Sequence, residues 1–218
     1  MSDLDNRRPI SARDTGLARR TARVLATAGI SANAISAASV VFATLAAGAI
    51  LAAPHAGGVF WLLAVAFIGL RLLANLFDGM VAVEHGKATS RGPIWNELPD
   101  RVSDVAILAA AGYSAATMVP GAASIAIALG WICAGGAVLT AYVRELGRAL
   151  ETPADFGGPF AKQQRMTTIA AGCLISLVEP LWSGRGEVLL VALAITAVGT
   201  LLTVALRTRR LAIRLGEK

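Results

Sequence analysis

The sequence predicts an all-α integral membrane protein: six transmembrane helices, an N-terminal juxtamembrane amphipathic helix, and both termini in the cytoplasm. Three observations carry this. First, 56% of the 218 residues are hydrophobic and only 16% are charged, against roughly 25% charged in soluble domains; mean hydropathy is +0.63. Second, the charges are clumped: Asp, Glu, Lys and Arg are absent from 24–70, 105–143, 166–178 and 188–206. Third, 19 of the 20 Lys and Arg residues fall in segments that such spans leave on one side. This composition excludes a disordered nucleic-acid tail and an ordinary soluble domain.

A helix needs about 20 apolar residues to cross a bilayer core, and the two longest charge-free runs each hold two spans with a turn between. The predicted spans are 32–53, 59–77, 95–118, 121–143, 166–181 and 187–206. Turn chemistry separates them at Pro54-His55-Ala56-Gly57-Gly58, Pro120-Gly121 and Ser183-Gly184-Arg185-Gly186. Ahead of the first span, Leu17, Thr21, Val24 and Leu25 fall at helical spacing, with Arg19, Arg20 and Arg23 turned elsewhere, as in a helix lying in the membrane interface. A plain polybasic flank to the first span is the alternative. The tail from Arg207 reads as a snorkelling helix end.

Orientation follows from the Lys and Arg count. The N-terminal segment, the 71–101 and 144–165 regions and the tail hold all but Arg185. Both termini and both long loops are therefore expected in the cytoplasm. The net charge of +6 then suits anionic headgroups; basic residues spread around a membrane face argue against a nucleic-acid partner. The polar, arginine-rich first 23 residues predict no cleaved signal peptide. Cys133 and Cys173 lie in apolar runs without metal-ligand spacing, and His55 and His85 are far apart, so neither a disulfide nor a zinc or histidine site is expected.

Chemistry concentrates between the second and third spans. Five of the 14 carboxylates, Asp78, Glu84, Glu97, Asp100 and Asp104, fall within 27 residues, and ionisable groups at membrane depth are functional candidates by default. Asn75 and Asp78 share one helix face; Asn96 and Asp100 share another, continued one turn deeper by Asp104. Oxygen ligands without His or Cys select hard cations, Mg²⁺ or Mn²⁺. Helix-packing salt bridges with Arg71, Arg91 and Arg101 are the alternative.

The residues between these faces run Asn75-Leu-Phe-Asp78-Gly79-Met-Val-Ala82-Val83, eight further residues, then Gly92-Pro-Ile-Trp-Asn96-Glu97-Leu-Pro-Asp100. This resembles the CDP-alcohol phosphatidyltransferase signature, D-x2-D-G-x2-A-R-x8-G-x3-D-x3-D. Every spacing matches, as do Asp78, Gly79, Ala82, Gly92 and Asp100; Asn75 and Asn96 stand for Asp, and Val83 for Arg. Ser31-Ala32-Asn33-Ala34-Ile35-Ser36 is similar to the family's Pro-Asn-x-Leu/Ile-Thr/Ser segment. Arg7-Arg8-Pro9, the Asn96-Glu97 pair with Asp100 and Asp104, and Gly158-Pro159-Phe160-Ala161-Lys162-Gln163 resemble a divergent bacterial subgroup with the same departures.

The resemblance implies transfer of a phosphatidyl group from CDP-diacylglycerol, or a related CDP-alcohol, to an alcohol, with release of CMP. By it, Asn75, Asp78, Asn96 and Asp100 take the metal positions, and Asp100 is also the general base toward the acceptor hydroxyl. Amide oxygens bring no charge, so Glu97 or Asp104 is needed to restore it; Glu97, nearer the hydrated loop end, is the expected ligand. Asn33, Gly79, Ala82 and Gly92 are expected at the nucleotide. The alternatives are capping of the first span by Asn33, helix packing by Gly79 and Ala82, and a turn at Gly92. Arg144, Lys162 and Arg165 are expected to bind the acceptor, with a purely topogenic role as their alternative.

Glycerol 3-phosphate is the expected acceptor; an inositol phosphate, another polyol, and a CDP-headgroup donor with diacylglycerol acceptor stay open. A catalytically silent membrane scaffold is the rival from another class. A transporter is disfavoured, since its acids would spread near the midplane. The expected division is an interfacial segment 1–31, a membrane domain 32–207 and a basic tail 208–218, in a homodimer of the bacterial cytoplasmic (inner) membrane with its active site facing the cytoplasm.

Overall fold

The computed structural model describes residues 11–84, 92–182, 184 and 186–217. Arg7-Arg8-Pro9, His85, Arg91 and Arg185 lie outside the described residues, as does the side chain of Glu84. The described residues form α-helices joined by turns and short 3-10 segments: α1 (Gly16–Thr27), α2 (Ala32–Ala56), α3 (Val59–Glu84), α4 (Gly92–Met118), α5 (Ala123–Ala149), α6 (Lys162–Ser176) and α7 (Glu187–Gly216).

Side-chain caps start the first two helices. Thr15 Oγ1 accepts from the Ala18 amide at 3.3 Å, and Ser31 Oγ from the Ala34 amide at 3.1 Å, each satisfying a donor the helix leaves open. Ser31, not Asn33, therefore caps the first long helix. The short leading helix forms as its spacing predicts, but alanines make its packed face: Ala18, Ala22 and Ala26 are buried against α3, while Leu17 and Val24 face outward. Helix α2 carries Pro54 in its last turn, where few backbone bonds remain to be lost. It ends three residues later than predicted, at Gly57, whose φ of 97° suits only glycine. Likewise α3 runs past 77 to Glu84 and α7 past 206 to Gly216, because polar residues end an apolar run without ending a helix.

Helix α2 packs between α3 and α4, which barely touch; α4 packs on α5, α5 on α7, α7 on α6 and α6 back on α3. Consecutive helices along the chain alternate in direction, so one end gathers the starts of α2, α4 and α6 with the ends of α3, α5 and α7. Small residues fill its interior: Ala43, Ala46, Ala111, Ala126 and Ala134 are buried. Bulky Leu45, Leu62, Trp131 and Val198 point out. Lipid offers no hydrophobic drive between helices, so close backbone approach does the packing. The tightest crossing is at Gly112 and Gly130, where a Cβ on either would lie 2.9 Å from the other's Cα.

Among the described residues, four helices are long and apolar enough to cross a membrane by length and composition: Ala32–Ala56, Val59–Val83, Pro120–Ala149 and Glu187–Gly216. The other two predicted spans coincide with α4 and α6, but α4 carries Glu97, Asp100, Arg101 and Asp104, and α6 has only 15 residues.

Candidate functional site

At the end where α2, α4 and α6 begin, buried charge collects inside the ring. Asp78, on the extended last turns of α3, is 4% exposed. Its Oδ2 accepts from Ser36 Oγ at 2.7 Å, while Oδ1 is buried with no hydrogen-bond partner. One turn earlier, Asn75 Nδ2 is also buried without a partner. Asp100, on α4, is also buried at this end, within reach of Arg71, which sits two turns before Asp78 on α3. Helix α2 stands between the two carrier helices, so Ser36 is part of the same junction.

Asp100 is crowded by cations. Lys162 Nζ donates to Oδ1, Arg101 Nη2 reaches Oδ2 at 3.4 Å, and Arg71 Nη2 lies 3.7 Å from Oδ1. Asp104, fully buried, accepts from Arg71 at 2.5 Å and from Arg165 at 3.0 Å, one on each oxygen. Glu97 pairs with Arg144 and lies 3.8 Å from Arg101. The salt-bridge alternative thus describes Asp104 and Glu97, and Asp100 in part, with Arg71 and Arg101 as the partners; Asp78 stands apart from it. Among the described residues, no three His, Cys, Asp or Glu residues gather to hold a metal ion. The donors on hand for a hard cation are Asp78 Oδ1, Asp100 and the Asn75 amide, whose orphaned nitrogen position an oxygen takes after a ring-like flip of the group.

The remaining expected residues distribute as follows. Asn33, Gly79, Ala82 and Gly92 are half-buried, and Asn96 is exposed. Val83 is 42% exposed. Arg144 bonds Glu97 and Glu145 and lies 5.4 Å from the Phe156 ring centroid. Arg165, 1% exposed, donates also to the Phe160 carbonyl at 3.0 Å and to Thr140 Oγ1 at 3.3 Å. These contacts go beyond a topogenic role. Cys133 and Cys173 are buried and free.

Sequence reasoning missed the fastening of the α5–α6 connection. Arg207 donates to the Gly157 carbonyl at 2.8 Å and the Thr140 carbonyl at 2.7 Å. Arg210 pairs with Asp155 at 2.9 Å, and the Phe160 amide donates to Thr203 Oγ1 at 2.9 Å. The connection that delivers Lys162 and Arg165 is thus strapped to α7. The signal was present: Thr203, Arg207, Arg210 and Arg214 recur at helical spacing on one face.

No protein-family model matches the chain. The inner membrane protein YnbA of Escherichia coli (strain K12) is 27% identical over 124 residues, 57% of this chain, and the chain covers 58% of that protein's length. Among solved structures, Mycobacterium tuberculosis phosphatidylinositol phosphate synthase (PgsA1) in complex with manganese and citrate is similar at TM-score 0.72 and 18% identity, over 88% of each chain. The same protein with CDP-DAG bound gives 0.71 and 20%, over 88% of this chain and 92% of that one. Its apo form gives 0.68 and 21%, over 87% and 93%. The chain therefore has the fold of these phosphatidylinositol phosphate synthase structures over most of its length.

Proposed function

We propose that this protein is a CDP-alcohol phosphatidyltransferase of the bacterial inner membrane. It moves a phosphatidyl group from CDP-diacylglycerol to an alcohol, with glycerol 3-phosphate as the best candidate, and releases CMP. One observation carries the reading: the two acids of the signature, Asp78 and Asp100, come from different helices and are both buried at one end of the ring, where Arg71 of the Asp78 helix reaches Asp100. A fold shared with a synthase solved with CDP-DAG supports it.

The proposed metal set is Asn75, Asp78, Asn96, Glu97 and Asp100. A bound Mg²⁺ or Mn²⁺ supplies neutralisation of the charge that develops on the pyrophosphate as CMP leaves. Asp100 accepts the proton of the acceptor hydroxyl as its oxygen bonds the phosphatidyl phosphorus and the bond to CMP breaks. Asn33, Gly79, Ala82 and Gly92 border the nucleotide, and Arg144, Lys162 and Arg165 border a phosphorylated acceptor. Ser36 orients Asp78, leaving one carboxylate oxygen for the ligand.

The same reading takes all six long helices as spans, with the site at the cytoplasmic end, and a homodimer as the assembly. Helix α4 turns its acids inward to arginines and shows Leu98, Val102 and Tyr113 outward, so lipid meets an apolar face. Helix α6 is about 22 Å long at roughly 1.5 Å per residue, and the turn through Trp182 extends it. Residues 1–31 form the interfacial segment, 32–207 the membrane domain and 208–218 the basic tail.

Purified protein given CDP-diacylglycerol and Mn²⁺ tests the function through CMP release. Release that rises with glycerol 3-phosphate and stops with a chelator is the expected result. Release driven instead by inositol phosphate reassigns the acceptor. No release from folded protein with any polyol or phosphorylated polyol, or from a CDP-headgroup donor with diacylglycerol, replaces the enzyme with a silent scaffold.

A further inference from the structure

We propose that the site takes a single divalent cation, centred on Asp78, and that the Lys162 ammonium supplies from within the chain the charge on Asp100 that a second cation would bring. The proposal rests on the phosphatidyltransferase reading for the site's purpose, and on the geometry alone for the count.

The two carboxylates are in opposite states. Asp100 has a cation on each oxygen, Lys162 on Oδ1 and Arg101 on Oδ2, with Arg71 behind. Asp78 has no cation bonded to it: Oδ2 accepts from the Ser36 hydroxyl, and Oδ1 is buried without a hydrogen-bond partner. A buried acceptor without a donor is costly, and a cation satisfies it. Asn75 and Asn96 contribute no charge, so the two acids bring two negative charges and Lys162 already answers one. One divalent ion then leaves the junction slightly positive, which suits an anionic pyrophosphate. A second would sit against Lys162, Arg71 and Arg101, while the neighbouring acids Glu97 and Asp104 are already paired with Arg144 and with Arg71 and Arg165.

Lys162 is built into this position. It opens α6, its side chain is 13% exposed, and its ammonium bonds Asp100 across to α4. The strap to α7 sets its height. A stray surface lysine would have none of these constraints.

Counting Mn²⁺ bound to the full chain in detergent, from the free-ion electron paramagnetic resonance signal, tests the proposal. The expected counts are one per chain for the wild type, two for Lys162→Met, and one for Lys162→Arg, which keeps the charge. Two or none in the wild type, or one in folded Lys162→Met, overturns it. If Lys162→Met does not fold, the wild-type count and Lys162→Arg decide alone. CMP release on the same samples separates the two readings: one Mn²⁺ without release sinks the enzyme and keeps the count, whereas release with two Mn²⁺ does the reverse.

Discussion

Arg71 Nη2 donates to Asp104 Oδ1 at 2.5 Å, and neither side chain has any exposed surface. Helices α3 and α4 scarcely touch elsewhere, so Arg71, which also reaches Asp100, ties them directly, and Arg165 on the second oxygen of Asp104 draws in α6. One carboxylate thus holds three helices at the level of the site. Its face, shared with Asp100, made it a candidate to restore the missing charge; its depth suits a structural anchor.

Replacing Asp104 with Ala strands two guanidinium groups in the interior. Breaking a buried pair from one side costs about 3–5 kcal/mol. Thermal unfolding in detergent is expected to show a large loss for Asp104→Ala; wild-type stability in that variant would contradict the anchor.

Asp78 behaves differently. Asp78→Ala forfeits one hydrogen bond from Ser36, a net effect of about 1 kcal/mol, so the protein stays folded while CMP release disappears. Asp100→Ala is expected to lose release as well. Full activity in either folded variant removes the proposed site. Ser36→Ala, which loosens Asp78 without touching its charge, is expected to lower turnover partially.

The Gly112–Gly130 crossing leaves no room for a methyl group between backbones. Overpacking of this kind costs about 1–3 kcal/mol. Gly112→Ala is expected to lower the unfolding temperature, while Gly48→Ala on α2, with open space around it, leaves it unchanged. Equal effects at the two positions would contradict the close approach.

Topology can be read with thiol labels, because both native cysteines are buried. A cysteine at exposed Glu151, in the α5–α6 connection, is expected to react only from the cytoplasm. One at exposed Gly121 is expected to react from the outside. Reaction of both from one side in intact cells overturns the six-span arrangement.

Much of this was legible in the chain. Charge-free runs and turn residues located six long helices, since both follow from local composition. The signature spacing singled out Asp78 and Asp100 because helical periodicity alone puts each on a face with its asparagine. Pairings between distant helices were not legible: nothing local says that Glu97 goes to Arg144, Lys162 to Asp100 or Ser36 to Asp78. Helix ends at Glu84 and Gly216 were missed because hydropathy marks where lipid stops, and backbone hydrogen bonding continues beyond it.

The arginines of the last helix combine two duties that a charge count merges. Lysine would serve equally well as an orientation signal for membrane insertion. It would not serve as a clamp: Arg207 sends rigidly spaced N–H groups to carbonyls on two separate segments, Gly157 and Thr140, whereas an ammonium is a point on a flexible stem. Drift from arginine to lysine at this position would therefore insert correctly and still leave a slackened connection under the end that holds Asp78 and Asp100, a defect silent in topology.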